Sequence, residues 1–298
     1  MWDGVRIITR WLEEGHALTP RPDYRYSDHL RVVKKRHLAV VNAKKEEARV
    51  AAYRDMTLYA GKVVGYAKEA ILALQGYKAN DLDDMLTALN LQAQLKRAVG
   101  LLEKVISQTE RRVFHGEKVP VSDKVVSFFE DHTDIIVKSR REVQYGHKVF
   151  LSSGASNLIL DCLIKRGNPA DSEQYIPMLK RHRGIFGYMP RQASADGGFA
   201  SKKNLADAKE FKIKDVAFAK RRSLEVLDMV KSAWVYKRLK NFRAGIEANI
   251  STLKRAFGLD RCTWKGWGGF KSYVWSSIFA YNLQVIARIK LESVKAAA

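Results

Sequence analysis

The spacing of apolar residues changes character near His115, and that change constrains what this chain can fold into. Before it, from Leu30 to about Val113, apolar side chains recur at intervals of three and four, as in Met56, Tyr59, Val63, Tyr66 and Ala70, then Leu82, Leu86, Leu89, Ala93, Leu102 and Ile106. At about 100° per residue such a series lines one face of a helix. The stretch therefore predicts two to four helices packed as a bundle, interrupted at QGYKAND, Gln75 to Asp81, where Asn80 or Asp81 is placed to cap the next helix. Upstream, Met1 to about Gly15 reads as an amphipathic helix with Trp2, Val5, Ile7, Ile8, Trp11 and Leu12 on its apolar side. TPRPDYRYSD, Thr19 to Asp28, reads as a turn-rich connector.

After His115 the apolar residues come in short β-branched and aromatic runs bounded by Gly, Ser, Asn and Asp. KVVSFFE, DIIVKS, HKVFLSS and NLILDCLIKRG predict successive strands. SEQYIPMLKRHRGIF then reads as helix, RQASAD as extended, SKKNLADAKEF as helix and DVAFAK as extended. The run from DMVKSAWVYK to STLKRAF reads as one long helix. Strands alternating with helices predict an α/β fold, a mixed sheet with flanking helices preceded by a helical bundle. The expected segments are 1–28, an N-terminal helix and connector; 29–115, the helical region; and 116–298, the α/β domain.

The 298 residues carry 53 Lys plus Arg against 32 Asp plus Glu, a formal charge of +21. An excess spread along the whole chain favours a polyanionic partner. Nucleic acid comes first and an anionic membrane surface second, because the basic residues are not gathered on one amphipathic helix. The strongly basic run RVVKKRHLAVVNAKKEEAR reads either as a solvated face or as a surface that meets phosphates. The two cysteines, Cys162 and Cys262, show no CxxC or Cys/His spacing, which points away from a disulfide framework or a zinc site and towards a reducing cytoplasm. MWDGVRIITRWLEEGH lacks the apolar core of a signal peptide, and no run approaches the roughly 18 apolar residues of a membrane span.

Two carboxylates draw attention. Asp196 ends the extended run RQASAD and precedes GGFAS, so it stands at the C-terminal end of an expected strand, where open α/β sheets bind ligands. An Asx turn or helix cap accounts equally for an Asp before Gly. Glu247 lies on the long helix, in NFRAGIEANISTLKRAFGL, whose Phe242, Ile246, Ile250, Leu253 and Phe257 predict a buried stripe. Arg243, Glu247 and Lys254 fall within roughly 40° of one another on the border of that stripe. Read from the helix alone, Arg243 and Glu247 are a surface i, i+4 pair.

The region from about Lys124 to Lys290 resembles the catalytic domain of bacterial insertion-sequence transposases of the DDE type. The resemblance rests on YGHKVFL, GNPADS, DGGFAS, DVAFAK, the block from MVKSAWVYKRLKNFRAGIEANISTLKRAFGLDRCTW and FKSYVWSSIFAYNL, met in that order. YRDMTLYAGKVVGYAKEAIL is similar to the helical insertion of one poorly classified group of them. The resemblance implies an RNase H-like fold, DNA as partner at transposon ends and target, a homo-oligomer as an open assembly state, and a cytoplasmic, nucleoid-associated protein. It also implies Mg²⁺ or Mn²⁺ as cofactor, held by three acids. Asp196 takes the place of the second acid and Glu247 of the third, both as catalytic metal ligands.

In that family the last acid sits in a pattern of Tyr, two residues, Arg, three residues, Glu, six residues, Lys. Arg243, Glu247 and Lys254 keep the spacing, while Lys240 stands where the tyrosine would be, so Arg243, Lys254 and Lys240 are the expected DNA contacts. The family's first Asp precedes a segment ending in WDGVR, and this chain begins MWDGVR. The expectation is an N-terminally truncated transposase without its first catalytic Asp. Asp161, Asp134 and Asp131 are the internal substitutes to weigh, with Asp161 best placed for a sheet face although an outward position on an alternating strand explains it as well. Asp3 reads as a neighbour of the site. His115, His132 and His147 have no partner at metal or triad spacing and read as turn or surface residues, and Ser152 and Ser153 lack a nucleophile motif.

Three functions follow from these readings. The first is metal-dependent phosphodiester cleavage and strand transfer. The second is a non-catalytic DNA-binding remnant, or an inhibitor of a full-length transposase. The third, a basic RNase H-like nuclease, requires an internal first acid.

Overall fold

In a computed structural model of the chain, which describes residues 1–18, 24–137, 142–219 and 223–297, the elements divide into two units, Met1–Thr133 and Asp134–Ala298. The first unit is helical: α1 Trp2–Leu18, α2 Leu30–Asn42, α3 Glu46–Gln75 and α4 Leu82–Thr109, closed by a π-helical turn at Glu110–Phe114. Val5, Ile8 and Leu12 of α1, spaced for one helix face, are buried with Ala60, Val63 and Ala67 of α3 and Leu95 and Leu102 of α4. The predicted break at Gln75 to Asp81 separates α3 from α4, and Asp81 Oδ1 accepts from Asp84 N at 2.8 Å, a cap of about 1 kcal/mol. Part of the predicted connector, residues 19–23, lies outside the described residues.

One predicted strand is not a strand. KVVSFFE has no regular structure; Val125 N donates to Gln108 Oε1 at 2.9 Å on α4, and Phe128 packs against the helical core. Its aromatic content serves the bundle, and a helix offers a strand no backbone ladder to join.

The second unit contains β1 Asp134–Val137, β2 Val143–Gly146, β3 Lys148–Ser153, β4 Ile159–Lys165, α5 Asp171–Phe186, β5 Gln192–Ala195, α6 Lys202–Glu210, β6 Asp215–Phe218, α7 Val226–Met229, α8 Ala233–Ala256 and α9 Gly266–Ala297. This is a mixed α/β arrangement. The single mixed sheet that was expected appears, among the described residues, as three pairs: β1 with β2 and β3 with β4 antiparallel, and β5 with β6 parallel. β2 was not foreseen, because VQYG is too short and polar to stand out as a strand on its own. The expected long helix from DMVKSAW is also broken: α7 stops at Met229, and Ser232 caps α8 by accepting from Val235 N at 3.3 Å.

Two apolar cores hold this unit. Val216, Ala217 and Phe218 of β6 are buried with Tyr175 and Leu179 of α5, Leu205 and Ala208 of α6, and Val235 and Leu239 of α8. β6 is buried along its whole length, as a parallel strand covered on both faces must be. Ile159 and Cys162 of β4 pack with Leu253 of α8 and Val274, Ile278 and Tyr281 of α9. The predicted apolar stripe of α8 is only partly buried. Leu253 is fully inside, whereas Phe242 is 44% exposed, and the polar Asn249 is buried because its Nδ2 donates to Asn157 O at 3.2 Å.

Candidate active site

Asp196 directly follows β5. Its backbone is extended and its Oδ1 accepts from Gly197 N at 2.6 Å, so it caps the 3₁₀ turn Gly197–Phe199. The capping role read from Asp before Gly is therefore real, yet the side chain stays 64% exposed. The turn is anchored from behind. Asn204, buried on α6, donates through Nδ2 to Ser172 O at 2.7 Å and to Phe199 O at 2.8 Å, joining α5, the turn and α6. A Cβ on Gly198 would stand 2.5 Å from Asp171 Oδ2, so glycine is needed there for close approach to the start of α5.

β5 is fixed in turn by Asp215, the first residue of its parallel partner. Asp215 is buried; Gln192 Nε2 donates to its Oδ2 at 2.7 Å and Lys231 N to its Oδ1 at 3.0 Å. Burial by itself would raise its pKa, but the two bonds and the charges of Lys209 and Lys231 together hold the carboxyl below its ordinary value.

α8 brings the second carboxylate. Arg243 is only 16% exposed, and its Nη1 reaches Glu247 Oε1 at 2.8 Å and Asp196 Oδ1 at 3.8 Å. Because one nitrogen touches both, the two carboxylate oxygens are no farther apart than the sum of those distances, inside the roughly 8 Å reach of a shared metal site. Glu247 remains 61% exposed. Arg243 Nε is buried and makes no hydrogen bond to any described residue. The side chain that looked like half of a surface pair is thus a clamp between two acids 51 positions apart in sequence. Lys240 and Lys254 are exposed on the same helix, Lys254 about 10 Å beyond Glu247 at 1.5 Å per residue.

The other candidate acids are engaged elsewhere. Asp161 on β4 is buried, and Arg181 of α5 grips it through Nε and Nη2, both at 2.6 Å. The outward position allowed by strand alternation is incorrect: α5 covers that face and supplies the counter-ion. Asp134 accepts from His147 Nδ1 at 2.6 Å, with Arg166 Nε at 3.9 Å. Asp131 pairs with Arg97 at 2.9 Å in the first unit, and Asp3 with Arg6 at 3.1 Å. Among the described residues no group of three His, Cys, Asp or Glu is arranged to hold a metal. Ser152 and Ser153 lie on β3 and His115 is exposed after the π turn.

His132 lies in a turn, as expected, whereas His147 is corrected. His132 bonds Glu130 at 2.8 Å, and the side chain of His147 is 2% exposed against Asp134. The partner of His147 is 13 residues away and reaches it because β1 and β2 pair antiparallel with Gly146 opposite Asp134. Sequence reading also passed over Asp171. GNPADS carried a signal as a block, but the contact of Asp171 with the Gly198 position, and its acceptance of a 2.9 Å bond from Lys148 Nζ, required the fold.

Both cysteines are free. Burial, with the neighbouring Asp161 charge, pushes the Cys162 thiol up to about 12, which makes it a structural group. No helix among the described residues is long and apolar enough to cross a membrane.

Residues 137–283 match the family described as Transposase DDE domain. The matched span contains Asp196, Arg243, Glu247 and Lys254, with Asp131 and Asp134 just outside it, and it supports a DDE-type transposase. No curated protein and no solved structure matches the chain significantly.

Proposed function

We propose that this chain acts on DNA as an insertion-sequence transposase polypeptide with an RNase H-like second unit, in which Asp196 and Glu247 are the second and third metal-binding acids. The observation that carries this reading is the Arg243 clamp: a carboxylate at the end of a parallel strand and a carboxylate on α8 converge on one guanidinium. Two exposed carboxylates suit a single Mg²⁺ or Mn²⁺, which commonly takes one or two from protein and completes its shell with water and substrate phosphates. They do not suit a centre of two ions, because the described residues bring no third acid to the pair. The chemistry available from a bound divalent ion is Lewis-acid stabilisation of phosphate charge and activation of a water or 3′-hydroxyl.

The chain's own residues act in binding and orientation. Arg243, held by both acids in the absence of substrate, is positioned to turn its fork to a phosphate once the acids take a cation. Lys254 and Lys240, exposed on either side of Glu247 along α8, extend a basic track for the strand. The cap from Gly197 N and the Asn204 bonds keep Asp196 in place while the partners change.

A second reading, a DNA-binding polypeptide that holds no metal and competes with an active transposase, is favoured by one observation, the lack of three clustered ligands among the described residues. Titration with Mn²⁺ in the presence of a short duplex end separates the two. The metal-binding reading expects about one ion bound, lost in Asp196→Ala and in Glu247→Ala while duplex binding at low salt persists. Binding of Mn²⁺ that is unchanged in both variants removes the metal assignment and leaves the competitor.

A further inference from the structure

The second unit carries a group of aromatic and basic side chains that the carboxylate site does not use. His147, just before β3, is buried against Asp134, and its ring meets Trp267 edge-on at 4.6 Å, with Phe270 stacked on the same indole at 5.9 Å and 11°. These contacts fix Trp267 in the first turn of α9. Two cations then lie over the indole: Arg166, at the end of β4, with its guanidinium carbon 5.5 Å from the ring centroid, and Lys271, one turn along α9, with Nζ at 5.7 Å. The indole face attracts both cations, which restricts two long side chains without neutralising either.

Their charges are poorly matched by acids. Arg166 is 54% exposed, and its ion pair among the described residues is the 3.9 Å approach of Nε to Asp134, which leaves the Nη fork unused. Lys271 is exposed and in no ion pair among the described residues. Since both lie over one ring, the two charges are no farther apart than the sum of their distances to its centroid, a length of strand that carries more than one phosphate. The neighbouring residue Lys148 donates to Asp171, and Asp171 touches the Gly198 position, two residues past Asp196. A chain of contacts thus links the strand beside the aromatic group to the turn that follows Asp196.

We propose that Arg166 and Lys271, held on Trp267, form a phosphodiester clamp that grips the DNA backbone beside the Asp196 and Glu247 site. The proposal rests on the reading of this chain as a DNA-binding protein. It assigns positioning: the contacts are to phosphates and carry no base sequence. Arg166 supplies a fork for two phosphate oxygens and Lys271 a point charge.

The test is the salt dependence of binding to a labelled duplex, followed by fluorescence anisotropy between about 50 and 200 mM salt. Each phosphate contact contributes about 0.9 to the slope of log affinity against log salt. Arg166→Gln with Lys271→Gln should lower that slope by about 1.8. The charge-matched pair Lys96→Gln with Lys104→Gln, on exposed positions of α4, should change it by less than half as much. Lys271→Gln alone, which breaks no ion pair, should lower it by about 0.9 and serves if the double variant loses its native circular dichroism. Equal slopes for the clamp and α4 variants overturn the clamp. Wild-type chain that binds no duplex even at low salt overturns the DNA reading as well, whereas normal duplex binding with an unaltered slope in the clamp variants removes the clamp alone.

Discussion

At the scale of single residues, Arg243 has the most to explain. It is mostly buried, it bridges two acids, and its Nε has no partner among the described residues, so its position is costly unless it serves the site. Arg243→Ala separates its two roles. Removing the internal cation frees Asp196 and Glu247, so Mn²⁺ affinity without DNA should rise by roughly tenfold, as for loss of a like charge worth about 1.4 kcal/mol. Affinity for a duplex end should fall instead. Calorimetric titration of the variant with Mn²⁺, then with DNA, checks both signs, and loss of both affinities together would mean that Arg243 only holds the fold. The sequence exposed this residue through its spacing to Glu247 and Lys254. It could not expose the bond to Asp196, which depends on where α8 crosses the end of β5.

At the scale of elements, the parallel pair β5 and β6 is the platform on which Asp196 stands, and Asp215 links the strands through Gln192. The folded pKa of Asp215 is depressed, so its contribution to stability is complete above the unfolded carboxyl value, about 3.9, and is lost as pH falls through the folded value. Thermal melts should show a midpoint that drops as pH falls below about 4, the unfolded carboxyl value. Asp215→Asn, which keeps the shape and the acceptor for Lys231 N, should start from a lower midpoint and flatten that drop. An unchanged slope would assign the acid sensitivity to other carboxylates. Asp215 was legible only as part of the strand DVAFAK; its burial follows from β6 being covered on both sides.

The same scale shows where periodicity succeeds and fails. α3 and α4 are long, and repeated three-and-four spacing over many turns leaves one self-consistent face, so both helices could be read directly. KVVSFFE has the composition of a strand, but β propensity mostly reports a fit to a half-buried surface, and the surface supplied here is helical. At α7 and α8 the run looks continuous, but Val230 is extended and Ser232 restarts the helix, a local backbone choice that apolar spacing does not register.

At the scale of the whole molecule, the charge of +21 and the match of residues 137–283 point to a chain that meets DNA, while the described residues gather two acids and no third. In a strand-transfer assay with Mg²⁺ and transposon-end DNA, the chain by itself should yield no product above background, because each 1.4 kcal/mol of lost transition-state stabilisation costs tenfold in rate. Product that disappears on changing Asp131, Asp134 or Asp161 to Ala would overturn this and make an internal acid the missing ligand. The geometry already commits those three to Arg97, to His147 and to Arg181.

The sequence by itself determined the helical first part, the change to strands and helices, the excess of positive charge and the pairing of a strand-end Asp with a helix Glu as candidates. The first three are set by neighbours along the chain or by composition, and the pairing of the acids rests on the family resemblance. Only the tertiary structure decided that Asp196 and Glu247 share Arg243, that Asp161 is sealed against Arg181, and that His147 supports Trp267 under two cations. Each of those depends on side chains far apart in sequence whose meeting is fixed by how α5, α8 and α9 pack on short strands. Local spacing specifies which face an element buries, but not which distant partner that face will meet.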